Sequence, residues 1–251
     1  MTRLLVLNPN TTQAVTDLMM RSAASVAAPG VELSAVTAPR GVPYISNRCE
    51  ALIGGAIALE MLAEVAPAPD AAILAAFGDP GLFALREAFD FPVIGVSEAA
   101  MLTACMLGGK FLIVSFTSAM LGWYRDCVAA HGLEARCAGV VALDLPFGAL
   151  DMVQGAQGDQ LIAFARAEAQ ARDAACVIFG GAPLAGLAVR ARERLGRPVI
   201  DPVAAAVKLA EALAALRPMK ATAGSFARPP GKSSIGLSPA LANHLRRDHV
   251  E

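Results

Sequence analysis

The sequence predicts an α/β protein of two similar Rossmann-like (flavodoxin-like) halves, each with a parallel β-sheet, related by a pseudo-twofold axis. Short apolar runs of β type alternate with longer amphipathic stretches, which is typical of a parallel sheet covered by helices. Runs such as 4–7 and 111–114 lack the alternation of a half-exposed strand, so we expect both of their faces to be buried. Turn motifs of the first half recur in the second, which indicates the pairing of halves.

The β-type runs predict strands at 3–7, 31–36, 71–76, 92–96, 111–116, 140–143, 176–179 and 198–200. The amphipathic stretches predict helices at 12–27, 50–66, 80–89, 98–107, 119–131, 159–173, 184–195 and 202–216. From Arg217 onward the chain is rich in Pro, Gly and Ser, and we expect an irregular arm that wraps the body. The first half is expected to comprise residues 1–96 and about 200–251, with a C-terminal helix and the arm, and the second half residues 97–199.

The composition limits the partners of this protein. Of its 251 residues 55% are hydrophobic, largely alanine, and only 17% are charged, so we expect surface to be buried between subunits of a homo-oligomer. The net charge of −1 gives no electrostatic preference for nucleic acid. No apolar stretch reaches the roughly 20 residues of a membrane helix, so no membrane partner is expected.

Cysteine and histidine usage points away from disulfides and metals. Five cysteines are scattered without C-x-x-C spacing, which suits a reducing cytoplasm and argues against a zinc site. The three histidines, His131, His244 and His249, are too dispersed in sequence to suggest a metal cluster. The sequence also lacks the glycine-rich fingerprints of nucleotide-binding loops, so no cofactor is expected.

Four turn segments are expected to meet in the cleft between the halves, because ligands of open α/β sheets bind beyond the carboxyl ends of the strands. Asn8–Thr12 and Ser115–Ser118 close equivalent strands, as do Ala76–Gly81 and Gly180–Gly186. The predicted site residues are Asn10, Thr11, Tyr44, Phe77, Gly78, Thr117, Ser118, Gly180, Ala182 and Pro183.

Each of these segments also has a structural interpretation. Asn10 or Thr11, and Thr117 with Ser118, offer groups that either cap a helix or bind a ligand. Asp79 precedes Pro80 as a helix cap would, and a catalytic carboxylate is the alternative. Glycines let a backbone approach a ligand closely, but tight turns need them too.

These segments resemble the hydantoin and allantoin racemase branch of the aspartate/glutamate racemase superfamily. The matching pieces are Leu7–Thr12, Phe77–Leu82, Gly95–Ala100, Ala182–Leu187, the helix opening at Asp201, and Ala223–Ala227. The resemblance runs in order from about residue 3 to residue 232. It implies the same fold, a small hydantoin- or amino-acid-like substrate, and cofactor-independent chemistry.

The resemblance also implies two catalytic cysteines, one removing the α-proton and one returning a proton on the opposite face. Ala76 and Gly181 stand at those two positions, so neither thiol is present. An isomerase would then need substitute acid–base groups, with Asp79, Glu98, Tyr44 or Ser118 as candidates; a carboxylate in a partly apolar cleft can acquire a raised pKa.

Two other functions stay open. Loss of both thiols would leave a pocket that binds a small anion without catalysis, and it would enlarge that pocket. Alternatively, an enzyme could use the freed space for different, cysteine-independent chemistry such as hydrolysis or elimination. A racemase-family isomerase is the first hypothesis, and the small-molecule-binding protein is the second.

Overall fold

The computed structural model describes residues 1–146 and 155–246, and it confirms the predicted α/β fold with two parallel sheets. The first sheet has the strand order β2-β1-β3-β4, with β1 at Thr2–Asn8, β2 at Val31–Thr37, β3 at Ala71–Leu74 and β4 at Val93–Gly95. The second has the order β6-β5-β7-β8, with β5 at Phe111–Ser115, β6 at Cys137–Ala142, β7 at Cys176–Phe179 and β8 at Val199–Ile200. The two sheets therefore repeat one topology.

The helices of the described residues follow the predicted order. They are α1 Gln13–Val26, α2 Arg48–Glu64, α3 Leu82–Ala88, α4 Val96–Leu107, α5 Leu121–Ala130, α6 Ala156–Ala171, α7 Leu187–Leu195, α8 Pro202–Leu216 and α9 Pro239–Arg246. Helix α9 corrects the expectation of a wholly irregular arm. Its first turn is capped by Ser238, whose hydroxyl accepts the N–H of Leu241 at 3.3 Å, and the Leu241 side chain is buried. His249 lies outside the described residues.

Helix α8 packs on the first sheet although it follows the last strand of the second. Its buried face carries Val203, Ala206, Val207 and Ala210, which share one core with residues of β1, β3 and α1. The alanines keep the helix close to the sheet, and a capping aspartate starts it: Asp201 accepts the N–H groups of Val203 at 2.9 Å and Ala204 at 3.1 Å. After the second sheet, the chain therefore packs α8 against the first sheet.

The central strands bring their carboxyl ends to one place. Leu7 of β1 pairs with Leu74 of β3, and Val114 of β5 pairs with Phe179 of β7. The chain leaves each sheet just beyond these pairs, and both faces of the four strands are largely buried there, as the unbroken apolar runs predict. None of the helices among residues 1–146 and 155–246 has the length and apolar character to cross a bilayer.

Candidate functional site

A small cavity lies where the loops beyond the central strands of the two sheets meet. Its volume is about 20 Å³. It is lined by Asn10, Tyr44, Ile45, Ala76, Phe77, Met120, Trp123, Tyr124, Gly181 and Ala182. These residues come from the segments after β1, β2, β3, β5 and β7, so both halves of the chain build the wall.

Ala76 and Gly181 occupy equivalent places in that wall. Ala76 follows β3, which ends at Leu74, and Gly181 follows β7, which ends at Phe179. Each therefore stands at the same distance beyond the corresponding strand of its own sheet, and each is buried. Both residues line the cavity.

The backbone at Gly181 suits glycine better than any side chain. Its φ of 131° lies in a region that residues with a Cβ rarely adopt. A Cβ built there would come to 3.0 Å from the Phe116 ring and 3.7 Å from the Tyr124 hydroxyl. Phe116 thus takes up space that a side chain at this position would need.

The polar groups of the wall are donors. The Asn10 carbonyl oxygen accepts the Thr12 N–H at 3.0 Å and the Asn8 amide at 3.2 Å, which leaves its own NH₂ group for a ligand. In the described part of the chain, no acceptor lies within hydrogen-bonding distance of the backbone N–H of Gly181 or Ala182. Such donors suit a carbonyl or carboxylate oxygen.

The two tyrosines of the wall stay protonated at neutral pH. Burial, and to a lesser degree the charge of Glu50, raises the pKa of Tyr44 well above its usual value. Burial likewise raises the pKa of Tyr124. The Tyr124 hydroxyl donates to Met120 Sδ at 2.8 Å, and the Tyr44 hydroxyl lies 3.4 Å from the same sulfur. Neither is therefore suited to act as a general base near pH 7.

The cavity beside Ala76 and Gly181 is smaller than the enlarged pocket that the sequence suggested. A volume of about 20 Å³ accommodates little more than one water molecule. The rings of Phe77 and Tyr124 pack edge-on with centroids 4.8 Å apart, and Phe116 crowds Gly181. Aromatic side chains have filled the space, so a substrate-sized ligand requires the wall to move.

Hydrogen bonds to the loop after β1 hold the segment that carries Tyr44. Thr11 donates its N–H to the Val42 carbonyl at 3.0 Å, and the Thr12 hydroxyl donates to the Pro43 carbonyl at 2.6 Å. These bonds connect the segment after β2 to the loop after β1.

Several predicted site residues do not line the cavity. Thr11 binds the Val42 carbonyl, and Thr117 caps Ala119 with its hydroxyl at 3.4 Å. Ser118 is exposed, and its N–H donates to Asp144 at 2.6 Å. Gly78, Gly180 and Pro183 are buried beside the cavity. A Cβ on Gly78 would lie 2.3 Å from the Trp123 ring, so this glycine serves close packing between the halves.

Asp79 corrects the expected capping pattern. It does not cap the helix after Pro80, since α3 begins only at Leu82. Its two carboxylate oxygens instead accept the N–H groups of Ser97 at 2.9 Å and Glu98 at 2.8 Å, and so cap α4. Asp79 is buried and is not among the residues that line the cavity.

A polar cluster that the sequence did not predict surrounds Asp79. His131, at the end of α5, places Nε2 3.5 Å from Asp79 Oδ2 and Nδ1 3.3 Å from Glu98 Oε1. Cys127 lies one helical turn before His131, and one donor atom from each of Asp79, Cys127 and His131 falls within 4.8 Å of the others. Only tertiary structure joins these residues, because no short motif links 79 to 127.

The ionisable groups of this cluster stabilise one another's charged forms. Burial by itself would lower the pKa of His131, but hydrogen bonds with Asp79, Cys127 and Glu98 raise it to about 11. Burial by itself would raise the pKa of Glu98, yet hydrogen bonds from His131 and Arg86 lower it to about 2. Glu98 is therefore an ionised partner of Arg86 rather than a proton acceptor poised near neutrality.

The duplicated parallel sheets, with a cavity between equivalent strand ends, define a two-halved α/β protein of the racemase type. The profile of the Asp/Glu/hydantoin racemase family matches residues 4–210, and the chain belongs to that family.

The similarity extends over nearly the whole chain. A hydantoin racemase of Paenarthrobacter aurescens is 34% identical over 235 residues, which are 93% of this chain and 100% of that protein. The structure of an allantoin racemase from Klebsiella pneumoniae superposes with a TM-score of 0.90 at 35% identity, covering 96% of this chain and 99% of that one. An allantoin racemase from Pseudomonas fluorescens gives 0.89 at 30% identity, covering 94% and 100%.

Proposed function

We propose that this chain is a racemase-family protein that binds a small hydantoin- or amino-acid-like molecule between Ala76 and Gly181, and that it does not racemise by a pair of thiols. The relatives named above are hydantoin and allantoin racemases, which supports this ligand class. The donors of Asn10, Gly181 and Ala182 complement the carbonyl and carboxylate oxygens of such molecules.

The residues that line the cavity support the proposal that the chain does not racemise by a pair of thiols. Among the described residues, those that line the cavity include no cysteine, histidine, aspartate or glutamate. Its ionisable groups, Tyr44 and Tyr124, both have raised pKa values. Asp79 and Glu98, the two carboxylates that the sequence offered as substitute bases, are committed to α4 and Arg86. Proton abstraction from a carbon needs a base with a pKa near the working pH, and this wall offers none.

A cysteine-independent isomerase is the second candidate. The overall identity to racemases across more than nine tenths of the chain favours it. In that case the Tyr44 hydroxyl, which lines the cavity and stays protonated because its pKa is raised, would serve as a proton donor to the substrate.

One experiment separates the two candidates. The protein is incubated in heavy water with single enantiomers of 5-substituted hydantoins, allantoin, aspartate and glutamate, and optical rotation and α-deuterium uptake are followed. Calorimetry on the same compounds measures binding. Binding without exchange above a buffer blank supports the binding protein, whereas exchange that Tyr44→Phe abolishes supports the isomerase. Neither binding nor exchange with any of these compounds contradicts the proposed ligand class.

We also propose that the protein forms a homo-oligomer in the cytoplasm. Large apolar side chains on α2 and α4 are exposed, with Leu52 at 78% and Met106 at 73%. All five cysteines are free thiols, which agrees with a reducing compartment. Sedimentation equilibrium tests the assembly, and Leu52→Lys with Met106→Lys should shift it toward the monomer.

A further inference from the structure

The cluster of Asp79, Cys127 and His131 has the donor set and arrangement of a transition-metal site. Cys127 and His131 project from one face of α5 because they are spaced by one helical turn, and Asp79 faces them from the loop after β3. Thiolate, imidazole and carboxylate together favour Zn²⁺ over the hard cations Mg²⁺ and Ca²⁺, which prefer oxygen ligands alone.

The distance between the His131 and Asp79 donor atoms suits two ligands of one metal ion better than a short charge-assisted hydrogen bond. The 3.5 Å between His131 Nε2 and Asp79 Oδ2 is longer than the roughly 2.7–2.9 Å of a charge-assisted hydrogen bond. Two ligand atoms bound tetrahedrally to zinc are separated by about 3.3–3.6 Å, given bond lengths of about 2.0–2.3 Å. The three donor atoms lie within 4.8 Å of one another, a spacing that small side-chain adjustments close.

The groups around the three donors are those that hold metal ligands in place. Glu98 Oε1 lies 3.3 Å from Nδ1 of His131, so a carboxylate orients the imidazole from its far side. Glu98 is itself fixed by Arg86, whose Nη1 donates to Oε1 at 3.0 Å. Asp79 is held by the two N–H groups of α4, each of which leaves its oxygen a further lone pair.

We propose that Asp79, Cys127 and His131 form a Zn²⁺-binding site that connects the two halves of the chain beside the ligand cavity. The ion binds the Cys127 thiolate, the unprotonated His131 nitrogen facing Asp79, and one Asp79 oxygen, and the thiol and imidazole protons pass to solvent. Two anionic ligands balance the charge of the ion in this buried place. Asp79 belongs to the first half and the other two ligands to the second, so the metal stabilises the packing of one half on the other.

The same residues have a metal-free interpretation, in which protonated His131 bridges the carboxylates of Asp79 and Glu98. That arrangement does not need a thiol at position 127. Removal of the Cys127 sulfur therefore separates the two interpretations, and Cys176 supplies the matched control because it is also buried but lies in β7, where its sulfur donates to the Ala104 carbonyl.

The test uses the full chain freed of metal by a chelator and dialysed. Co²⁺ is titrated first, because thiolate coordination gives an intense near-ultraviolet charge-transfer band and tetrahedral geometry gives strong visible bands. Zn²⁺ affinity is then measured by its displacement of Co²⁺. We expect one Co²⁺ per chain with the thiolate band, loss of that band in Cys127→Ala, and Zn²⁺ affinity lower by at least about 100-fold. Cys176→Ala should retain both signals.

Three results would overturn the proposal: no Co²⁺ binding by the metal-free chain, binding without the thiolate band, or equal affinity in wild type and Cys127→Ala. His131→Gln guards against misfolding of the cysteine variant, since it keeps the thiol and removes only the nitrogen ligand. If His131→Gln is folded by circular dichroism and binds Zn²⁺ as tightly as the wild type, the site is not the one described.

Discussion

The Phe116 ring stands against the position that a side chain on Gly181 would occupy, with 3.0 Å between Phe116 Cε1 and a Cβ built on the glycine. A cysteine at 181 therefore meets an aromatic ring as well as an unfavourable φ of 131°. The resemblance to racemases implies a thiol there, so this packing separates the present chain from a two-thiol enzyme. A cysteine introduced at position 181 would also require Phe116 to move or to be replaced by a smaller residue.

The first prediction concerns the stability cost at this position. Gly181→Ala should lower the free energy of unfolding more than Gly186→Ala, since both glycines have positive φ but a Cβ on Gly186 meets open space. We expect about 1 kcal/mol for Gly186→Ala from backbone strain and about 2–4 kcal/mol for Gly181→Ala from strain and crowding together. Urea unfolding monitored by circular dichroism measures both. Equal losses would contradict the packing described for Phe116.

The second prediction restores the two thiols. Ala76→Cys with Gly181→Cys, in a Phe116→Leu background that relieves the crowding, should exchange the α-proton of a 5-substituted hydantoin in heavy water faster than the wild type. Thiols then flank the ligand on both sides, as a two-base mechanism requires. The matched control carries Ser at both positions in the same background, with the same backbone strain and no thiol. A folded, ligand-binding thiol variant no faster than its serine control would remove the support for this cavity as the reaction site.

The third prediction concerns Asp79, which caps α4 and does not line the cavity. Asp79→Ala should lower the free energy of unfolding by about 1–3 kcal/mol in metal-free buffer, because two N–H groups of α4 lose a charged acceptor. Ligand affinity should change much less. Asp126→Ala is the control, since Asp126 forms an exposed ion pair with Arg48 that contributes little. Loss of ligand binding with unchanged stability would instead assign Asp79 to the binding site.

The fourth prediction is a flat pH dependence of ligand binding. Burial keeps the pKa values of Tyr44 and Tyr124 above their usual range, and the Asn10 amide does not ionise, so the lining stays in one protonation state. Affinity for a ligand that is itself uncharged should vary less than about twofold between pH about 6 and about 8. Calorimetry across this range provides the measurement. A change in ligand affinity with an apparent pKa in that pH range would contradict this prediction, because it would require an ionisable group in the cavity wall that the structure places elsewhere.

The fifth prediction separates the two tyrosine hydroxyls. Tyr44→Phe should weaken ligand binding about five- to tenfold, the effect of one lost hydrogen bond, with little change in stability. Tyr124→Phe removes a fully buried hydroxyl that lies 2.8 Å from Met120 Sδ, and it should lower stability by about 0.5–1.5 kcal/mol while binding is retained. Thermal unfolding and calorimetry on both variants give the comparison. If Tyr124→Phe weakened ligand binding and Tyr44→Phe did not, the ligand would lie nearer α5 than the segment that carries Tyr44.

The sequence predicted the order of strands and helices because each run carries its own local signal. β1 and β5 are unbroken apolar runs, and the strands of the described residues lie at the β-type runs of the sequence. Helix α9 was missed because eight residues within a Pro/Gly/Ser-rich segment give a weak periodic signal, and its capping by Ser238 and burial of Leu241 arise only against the folded body. The predicted role of Asp79 was wrong for a related reason: the helix that it caps is α4, which begins at Val96, and not the helix that follows Pro80.

The sequence by itself determined the fold class, the family and the identities of Ala76 and Gly181, since composition, run length and residue identity are local properties. Only the tertiary structure decided how much space remains beside Ala76 and Gly181. It also decided which ionisable side chains lie in contact. Phe116 and Tyr124 approach Gly181, and Cys127 and His131 approach Asp79, only because separate strands end at one place. Contacts between distant segments depend on packing, for which a single sequence carries no local signal.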